Sequence, residues 1–129
     1  MSGLAEQASR SVIVLHELIA EVFHGDGSKV PELLAHFAPE FTMVTPGGKM
    51  LALADVAALF TRLTGGRQGV VIRIEQCQII SQSDQDVVIH YHELQHQGDV
   101  HTHRISLAVI DCSATPPRWR YLQETMVAD

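Results

Sequence analysis

Basic residues are scarce in this chain, and their scarcity narrows the range of partners. Nine lysines and arginines stand against fifteen aspartates and glutamates, so the formal net charge is −6. A nucleic-acid surface needs clustered lysines and arginines that neutralise phosphates, and an anionic membrane surface attracts the same residues. The basic residues here are scattered along the sequence. We therefore expect no nucleic-acid partner and no membrane partner.

Cysteines and long apolar runs are also sparse. The two cysteines, Cys77 and Cys112, form no CxxC motif and cannot build a disulfide framework. Their strand-like surroundings favour small buried thiols. No apolar run approaches the roughly 20 residues of a membrane-spanning helix, and the first residues lack the basic and apolar segments of a secretory signal. These features predict a cytoplasmic protein.

Histidine, by contrast, is concentrated in one stretch. Two runs rich in valine, isoleucine and leucine flank the turn-forming residues 97–100, and this pattern predicts a β-hairpin over residues 86–109. Five of the eight histidines of the chain lie in it: His90, His92, His96, His101 and His103. Because residues i and i+2 of a strand share a face, the histidines of each strand project together.

The length of the hairpin turn decides whether the two histidine sets meet. An even number of turn residues sets His96 opposite His101, gathers all five histidines on one face and pairs Glu93 with Arg104. An odd number shifts the pairing by one residue and separates His101 from His96. A cross-strand pair of opposite charges stabilises a sheet, so the sequence favours the even register slightly. The odd register gathers more apolar residues on one face.

The order of the elements predicts the fold class. Helical periodicity and turn residues give helices over about 4–24, 29–37 and 54–63. Alternating or β-branched runs give strands over about 41–45, 49–51, 70–81, 86–97, 100–109 and 118–127. Helices that precede long antiparallel strands indicate an α+β protein with the helices on one face of a curved sheet. No linker or repeat interrupts the sequence, so we predict a single domain over residues 1–129.

This order resembles the nuclear transport factor 2-like superfamily, which also includes the ketosteroid isomerases and the polyketide cyclases. The segments that carry the resemblance are LAHFAPEF at 34–41, TPGGK at 45–49, VVIHY at 87–91, RISL at 104–107 and RWRYL at 118–122. Their combination is most similar to the domain-of-unknown-function 4440 branch. The resemblance covers nearly the whole chain.

The resemblance implies a cone-shaped half-barrel with a pocket closed by the first helix. It further implies a homodimer formed through the sheet, and a small apolar or amphipathic ligand. Enzymes of the superfamily work without a cofactor and use polar side chains in the pocket, so we expect no cofactor here. No known catalytic set of the superfamily maps onto this chain, whose first helix contains no tyrosine.

Candidate site residues come from the hairpin and its neighbours. His103 is the predicted general acid or base, Glu93 its carboxylate neighbour, and Tyr91 and Arg104 the donors to developing negative charge. The alternative is that Glu93 and Arg104 form an ordinary cross-strand pair and that Tyr91 belongs to the core. Residues expected to contact a ligand are His16, His101, Trp119, Tyr121 and Gln123.

Two further uses of the histidines remain open. His-x-His spacing can present imidazoles to a transition metal, but no complete ligand motif is present, so we predict no metal site. Histidines mixed with apolar residues also suit a partly polar dimer interface. The sequence therefore predicts a small-molecule pocket protein that could perform cofactor-independent acid–base chemistry of the isomerase, dehydratase, hydrolase or cyclase type. The alternative is a non-catalytic dimeric binding or assembly module.

Overall fold

The helices cover one face of the sheet and are built on apolar stripes. The structure, a computed structural model, describes residues 3–128. Helix α1 spans Leu4–Phe23, a single 3-10 turn spans Gly27–Lys29, α2 spans Val30–Leu34 and α3 spans Leu53–Leu63. Residues of α1 at three- and four-residue steps are fully buried, which fixes this helix against the sheet. Gly25, at φ +118°, turns the chain after α1.

Six strands of the described residues form a single sheet. Strand β1 spans Phe37–Val44, β2 Met50–Ala52, β3 Val71–Gln82, β4 Asp86–Gln97, β5 Val100–Asp111 and β6 Arg118–Met126. Their order in the sheet is β2-β1-β6-β5-β4-β3. Strands β1 and β6 are parallel, and every other neighbouring pair is antiparallel. The predicted α+β cone, with N-terminal helices on a curved and mainly antiparallel sheet, is confirmed.

The predicted boundary between α2 and β1 is wrong. The helix ends at Leu34 rather than near Phe37, and the strand begins at Phe37 rather than Phe41. Trp119 donates its backbone N–H to the His36 carbonyl at 2.7 Å, which starts the pairing of β1 with β6. Pro39 lies inside the strand, where the register with β6 shifts, so its missing N–H interrupts no regular ladder.

The hairpin has the even register. Gly98 and Asp99 form a two-residue loop, with Gly98 at φ +61°, and His96 lies opposite His101. Glu93 lies opposite Arg104, as the charge pairing predicted. All five hairpin histidines therefore share one face of the sheet.

Strand β6 contains an irregularity that exchanges its two faces. Ile110 of β5 pairs with Trp119, but the preceding Val109 pairs with Tyr121, so Arg120 is an extra residue. A bulge of this kind breaks the alternation of side chains along a strand. Trp119 therefore points toward α1, while Tyr121 points away from it.

The two cysteines differ in exposure. Cys112 is buried, as predicted, but Cys77 is exposed. Cys77 follows Gln76, a non-glycine residue at φ +55°, where the register of β3 with β4 is irregular. No helix within residues 3–128 has both the length and the apolar character needed to cross a membrane.

Candidate functional site

A cavity of about 250 Å³ lies between the helices and the inner face of the sheet. Its walls are mostly apolar side chains of α1, α3 and β1, including Leu15, Phe37, Phe41, Val56 and Phe60. Its polar lining comes from α1, from the segment after α3 and from three strands, and consists of His16, Arg67, Glu93, Gln95, Arg104 and Glu124. A mostly apolar cavity with a few convergent polar groups is the usual form of a small-molecule site.

His16 and Glu93 form a buried ion pair at the centre of this polar lining. The His16 Nδ1–H donates to the Val12 carbonyl at 2.7 Å, and Nε2 lies 3.1 Å from Glu93 Oε1. Because Nδ1 already carries a proton, the contact between Nε2 and Oε1 needs one further proton. The raised pKa of His16 and the lowered pKa of Glu93 assign it to the ring, which is an imidazolium facing a carboxylate. Both side chains are almost completely buried.

Each charge of this pair shifts the pKa of the other residue. Burial opposes a charge on His16, but the Glu93 carboxylate and the hydrogen bonds to Glu93 and Val12 together raise the pKa of His16. Burial likewise opposes a charge on Glu93. The His16 charge and the hydrogen bonds from His16 and Gln95 nevertheless lower the pKa of Glu93 to about 2. Glu93 is therefore ionised at neutral pH.

A chain of side-chain hydrogen bonds connects this pair to Arg67, in the segment between α3 and β3. Gln95 Nε2 donates to Glu93 Oε2 at 2.5 Å, and Arg67 Nη1 donates to Gln95 Oε1 at 2.6 Å. Arg67 Nε also donates to Gln97 Oε1 at 3.2 Å. Both oxygens of Glu93 are thus engaged, which fixes its carboxylate in place.

Glu124 is the second buried carboxyl group of the cavity. Arg104 Nη1 donates to Glu124 Oε1 at 3.1 Å. Burial and the nearby Glu93 carboxylate raise the pKa of Glu124, and Arg104 offsets only part of this effect. Two carboxyl groups of one cavity therefore have pKa values displaced in opposite directions, an arrangement that in enzymes separates the roles of acid and base.

Tyr91 and Trp119 lie in the core rather than in the cavity lining. The Tyr91 ring packs edge-on to His16 at a centroid distance of 5.5 Å, and Trp119 Nε1 donates to Ser11 Oγ at 2.9 Å. Both aromatic residues are fully buried. Burial, followed by the Glu93 carboxylate, raises the pKa of Tyr91 well above its usual value. The expectation that Trp119 contacts a ligand is therefore not met by its position.

Four other predicted site residues lie on the opposite face of the sheet. The even register turns His101 and His103 away from the cavity, because inward positions of β5 are occupied by Arg104, Ser106 and Ala108. The bulge at Arg120 also turns two residues of β6, Tyr121 and Gln123, away from the cavity. The Tyr121 hydroxyl donates a hydrogen bond to Gln123 Oε1 at 2.7 Å. The predicted grouping of His103 with Tyr91 is wrong for this reason. Of the predicted residues, His16, Glu93 and Arg104 do line the cavity.

The outward histidines contact each other across the hairpin. His92 Nδ1 lies 2.8 Å from His103 Nε2, and His96 contacts His101 through their Nδ1 atoms. Within the described part of the chain, no group of three or more histidine, cysteine, aspartate or glutamate side chains is arranged to hold a metal ion.

The sequence did not predict three polar residues of the cavity: Arg67, Gln95 and Glu124. Gln95 lies two residues after Glu93 on the same strand, so the alternation that selected Glu93 also selects Gln95. Glu124 shares the inner face of β6 with Leu122. The bulge at Arg120 makes this face unpredictable from alternation that starts at Trp119. Arg67 lies in the segment after α3, where no periodicity applies, and the sequence holds no signal for it.

Comparisons with known proteins find structural relatives. No protein-family model matches the chain, and no curated protein matches it. An NTF-2-like protein of unknown function from Pseudomonas aeruginosa is 28% identical, with a TM-score of 0.89 over 95% of this chain and 99% of that chain.

More distant structures share the fold alone. A ketosteroid isomerase-like protein from Erwinia carotovora atroseptica is 10% identical, with a TM-score of 0.66 over 94% of each chain. An NTF2-like protein of unknown function from Pseudomonas putida is 12% identical, with a TM-score of 0.69 over 95% of this chain and 88% of that chain. The domain-of-unknown-function 4440 branch stays a prediction. The chain therefore has the nuclear transport factor 2-like fold and is similar to solved proteins of that superfamily.

Proposed function

We propose that the protein binds a compact small molecule in its cavity and transfers a proton to or from it without a cofactor. The observation that carries this proposal is the pair of buried carboxyl groups, Glu93 and Glu124, with opposite pKa shifts in a mostly apolar cavity. The volume of about 250 Å³ lies just below the ~300–1,000 Å³ usual for ligand pockets, which favours a compact molecule.

Glu124 is the proton-carrying group in this proposal. Its raised pKa brings proton exchange closer to neutral pH, where a general acid or base works best. Glu93 has the opposite role: it stays ionised and holds His16 as a cation. Arg104 lines the cavity beside Glu124 and supplies N–H donors for negative charge that develops on the ligand. Isomerisation, dehydration, hydrolysis and cyclisation all include proton transfers of this kind.

The test has two stages. A panel of compact neutral and charged molecules is first screened for an increase in melting temperature, and the molecules that bind are then incubated and analysed for products. We expect Glu124→Gln to retain ligand binding while turnover falls by about 100-fold or more. Glu75→Gln, which changes an exposed carboxylate paired with Arg73, is the matched control. Full turnover by Glu124→Gln contradicts the assigned role.

A non-catalytic binding or assembly module is the second candidate, and the outer face of the sheet favours it. This outer face combines the five hairpin histidines with apolar side chains that are only partly covered, namely Val88, Leu94, Ile105, Leu107 and Val109. We propose that a second copy of the chain packs against it. A ligand that raises the melting temperature but is never converted identifies the module.

A further inference from the structure

The cavity contains more cationic than anionic groups. Its ionisable lining residues are His16, Arg67, Arg104, Glu93 and Glu124. His16 and Glu93 neutralise each other at 3.1 Å, and Arg104 faces Glu124 at the same distance. One arginine is then left over, and the positive charge increases whenever Glu124 is protonated. This local excess contrasts with the net charge of −6 of the whole chain.

Arg67 is the unmatched cation. Its guanidinium donates to the neutral amide oxygens of Gln95 and Gln97 and lies 5.6 Å from the centre of the Phe23 ring. It makes no ion pair with any carboxylate of residues 3–128. A half-buried arginine held by amides and an aromatic ring keeps its full charge, so it contributes a positive potential to the cavity.

Arg104 has unused hydrogen-bonding capacity. Only Nη1 contacts Glu124, and the Nε atom is buried with no hydrogen-bond partner among the described residues. A buried charged donor without an acceptor is costly, and a guanidinium presents paired N–H groups that match the two oxygens of a carboxylate. Arg104 therefore keeps an Nε–H donor without an acceptor, in addition to the Nη1–H that bonds to Glu124.

The remainder of the cavity selects an apolar body. Phe37, Phe41, Phe60 and Leu122 line it, and the Phe37 and Phe41 rings lie only 4.6 Å apart. The volume leaves room for a compact group such as one aromatic ring or a short aliphatic chain. Apolar walls beside a single cationic region match a molecule with one charged end.

We propose that the ligand is a compact amphipathic monocarboxylate, whose carboxylate meets Arg104 and whose apolar body packs against Phe37, Phe41 and Phe60. This inference rests on the proposed small-molecule function of the cavity and adds the chemical class of the ligand. Arg67 strengthens the attraction through its charge. A carboxylate bound beside Glu124 further disfavours the ionised form of Glu124, so binding takes up a proton at this group.

Matched pairs of probes test the inference. Benzoate, phenylacetate and hexanoate are titrated calorimetrically into the full chain and compared with benzamide, phenylacetamide and hexanamide, which keep the shape but lose the charge. We expect at least one acid to bind about tenfold more tightly than its amide, because charge-assisted hydrogen bonds are the stronger ones. We expect Arg104→Gln to reduce the ratio of acid affinity to amide affinity nearly to one. Arg67→Gln should reduce the same ratio by a smaller factor. Arg73→Gln, at an exposed position of β3, is the control that leaves it unchanged.

The possible failures are distinguishable. Amides or neutral molecules that bind as tightly as the acids overturn the carboxylate inference and leave the proposed small-molecule function intact. If no compact molecule of either kind binds, both are overturned. If Arg104→Gln does not fold, the acid-to-amide preference of the unaltered protein and of Arg67→Gln still decides the outcome.

Discussion

His16 on the first helix and Glu93 on the fourth strand form an ion pair that spans 77 positions of sequence, with Nε2 and Oε1 3.1 Å apart. The pair joins α1 to the sheet and sets the charge at the centre of the cavity. We expect Glu93→Gln to lower the free energy of unfolding by about 3–5 kcal/mol, because an imidazolium would remain buried without its partner. Urea denaturation measures this loss.

A paired replacement is the control for this prediction. We expect the double variant His16→Leu and Glu93→Leu to be more stable than Glu93→Gln, since apolar side chains leave no buried charge. A double variant that is no more stable than the single one contradicts the ion-pair account.

The same pair predicts how stability depends on pH. The raised pKa of His16 gives a contribution that is complete below about pH 6.5 and is lost as the pH rises through the folded value. The lowered pKa of Glu93 gives a contribution that is complete above about pH 4.3 and is lost as the pH falls toward about 2. The stabilisation by this pair is therefore largest between about pH 4.5 and 6.5. Denaturation of the unaltered protein and of the double leucine variant across this range measures the difference, and parallel curves would contradict it.

Ser11 provides the hydrogen-bond acceptor for the indole N–H of the only tryptophan of the chain. Its Oγ accepts the hydrogen bond from Trp119 Nε1 at 2.9 Å inside the core. We expect Ser11→Ala to lower the free energy of unfolding by about 1–3 kcal/mol, because the indole N–H would remain buried without an acceptor. Ser9→Ala, on the same helix but only partly buried, is the control and should change stability by less than about 0.5 kcal/mol. Equal effects of the two substitutions would show that the hydrogen bond contributes nothing.

The two thiols should differ in reactivity. Cys77 is exposed, whereas burial and the neighbouring Asp111 raise the pKa of the buried Cys112 to about 11. We expect a thiol-specific reagent to modify one cysteine of the folded protein readily and the second only after denaturation. Cys77→Ser should remove the accessible thiol. Rapid modification of Cys112 in that variant would contradict the placement of this residue.

The proposed dimer can be tested by the mass of the particle in solution. We expect light scattering at pH 8 to give twice the 14.2 kDa of one chain, and Leu107→Glu, at the centre of the outer face, to give the mass of one chain. Ile13→Glu, on the exposed side of α1, is the control that leaves the mass unchanged. A single-chain mass for the unaltered protein contradicts the dimer.

The histidines of the outer face make the proposed dimer sensitive to acid. Histidine side chains gain a proton between about pH 8 and 5. The rings of His90, His92 and His103 form one contacting group and those of His96 and His101 another, with Glu75 and Arg73 on the neighbouring β3. Mutual repulsion should then loosen the dimer below about pH 6. Light scattering between pH 8 and 5 that shows one constant mass would refute this dependence.

The fold and the hairpin register were accessible from the sequence, because each rests on a local signal. Periodicity defined α1, and the opposite charges of Glu93 and Arg104 indicated the correct strand pairing. Which side of the hairpin faces inward was not accessible. Valine, isoleucine and leucine occur on both sides, at Val87 and Ile89 inward and at Leu107 and Val109 outward. Apolar content therefore does not distinguish the cavity face from the face opposite to it.

The predictions for β6 failed for a different reason. Strict alternation assigns Trp119 and Tyr121 to one face, but the extra residue at position 120 separates them. The register shift depends on how β6 pairs with β5, and the residue types around Arg120 do not predict it. Glu124 was overlooked for the same reason, although it is one of the two carboxyl groups of the cavity.

The extra residue in β6 also determines how the sequence of this strand has to be aligned with other strands and what a change at Arg120 would do. Arg120 is held by Asp86 of β4 at 2.6 Å and by Glu40 of β1 at 3.5 Å, and these two ion pairs anchor it on the surface. Aligning β6 with a regular strand without a gap would match Gln123 to a cavity residue and Glu124 to a surface one. Substituting Arg120 changes one surface side chain, whereas deleting it would make the pairs Ile110–Trp119 and Val109–Tyr121 consecutive, so that Trp119 and Glu124 keep their present face in a regular strand. The faces of β6 are therefore set by its pairing with β5 and not by the spacing of its residues along the sequence.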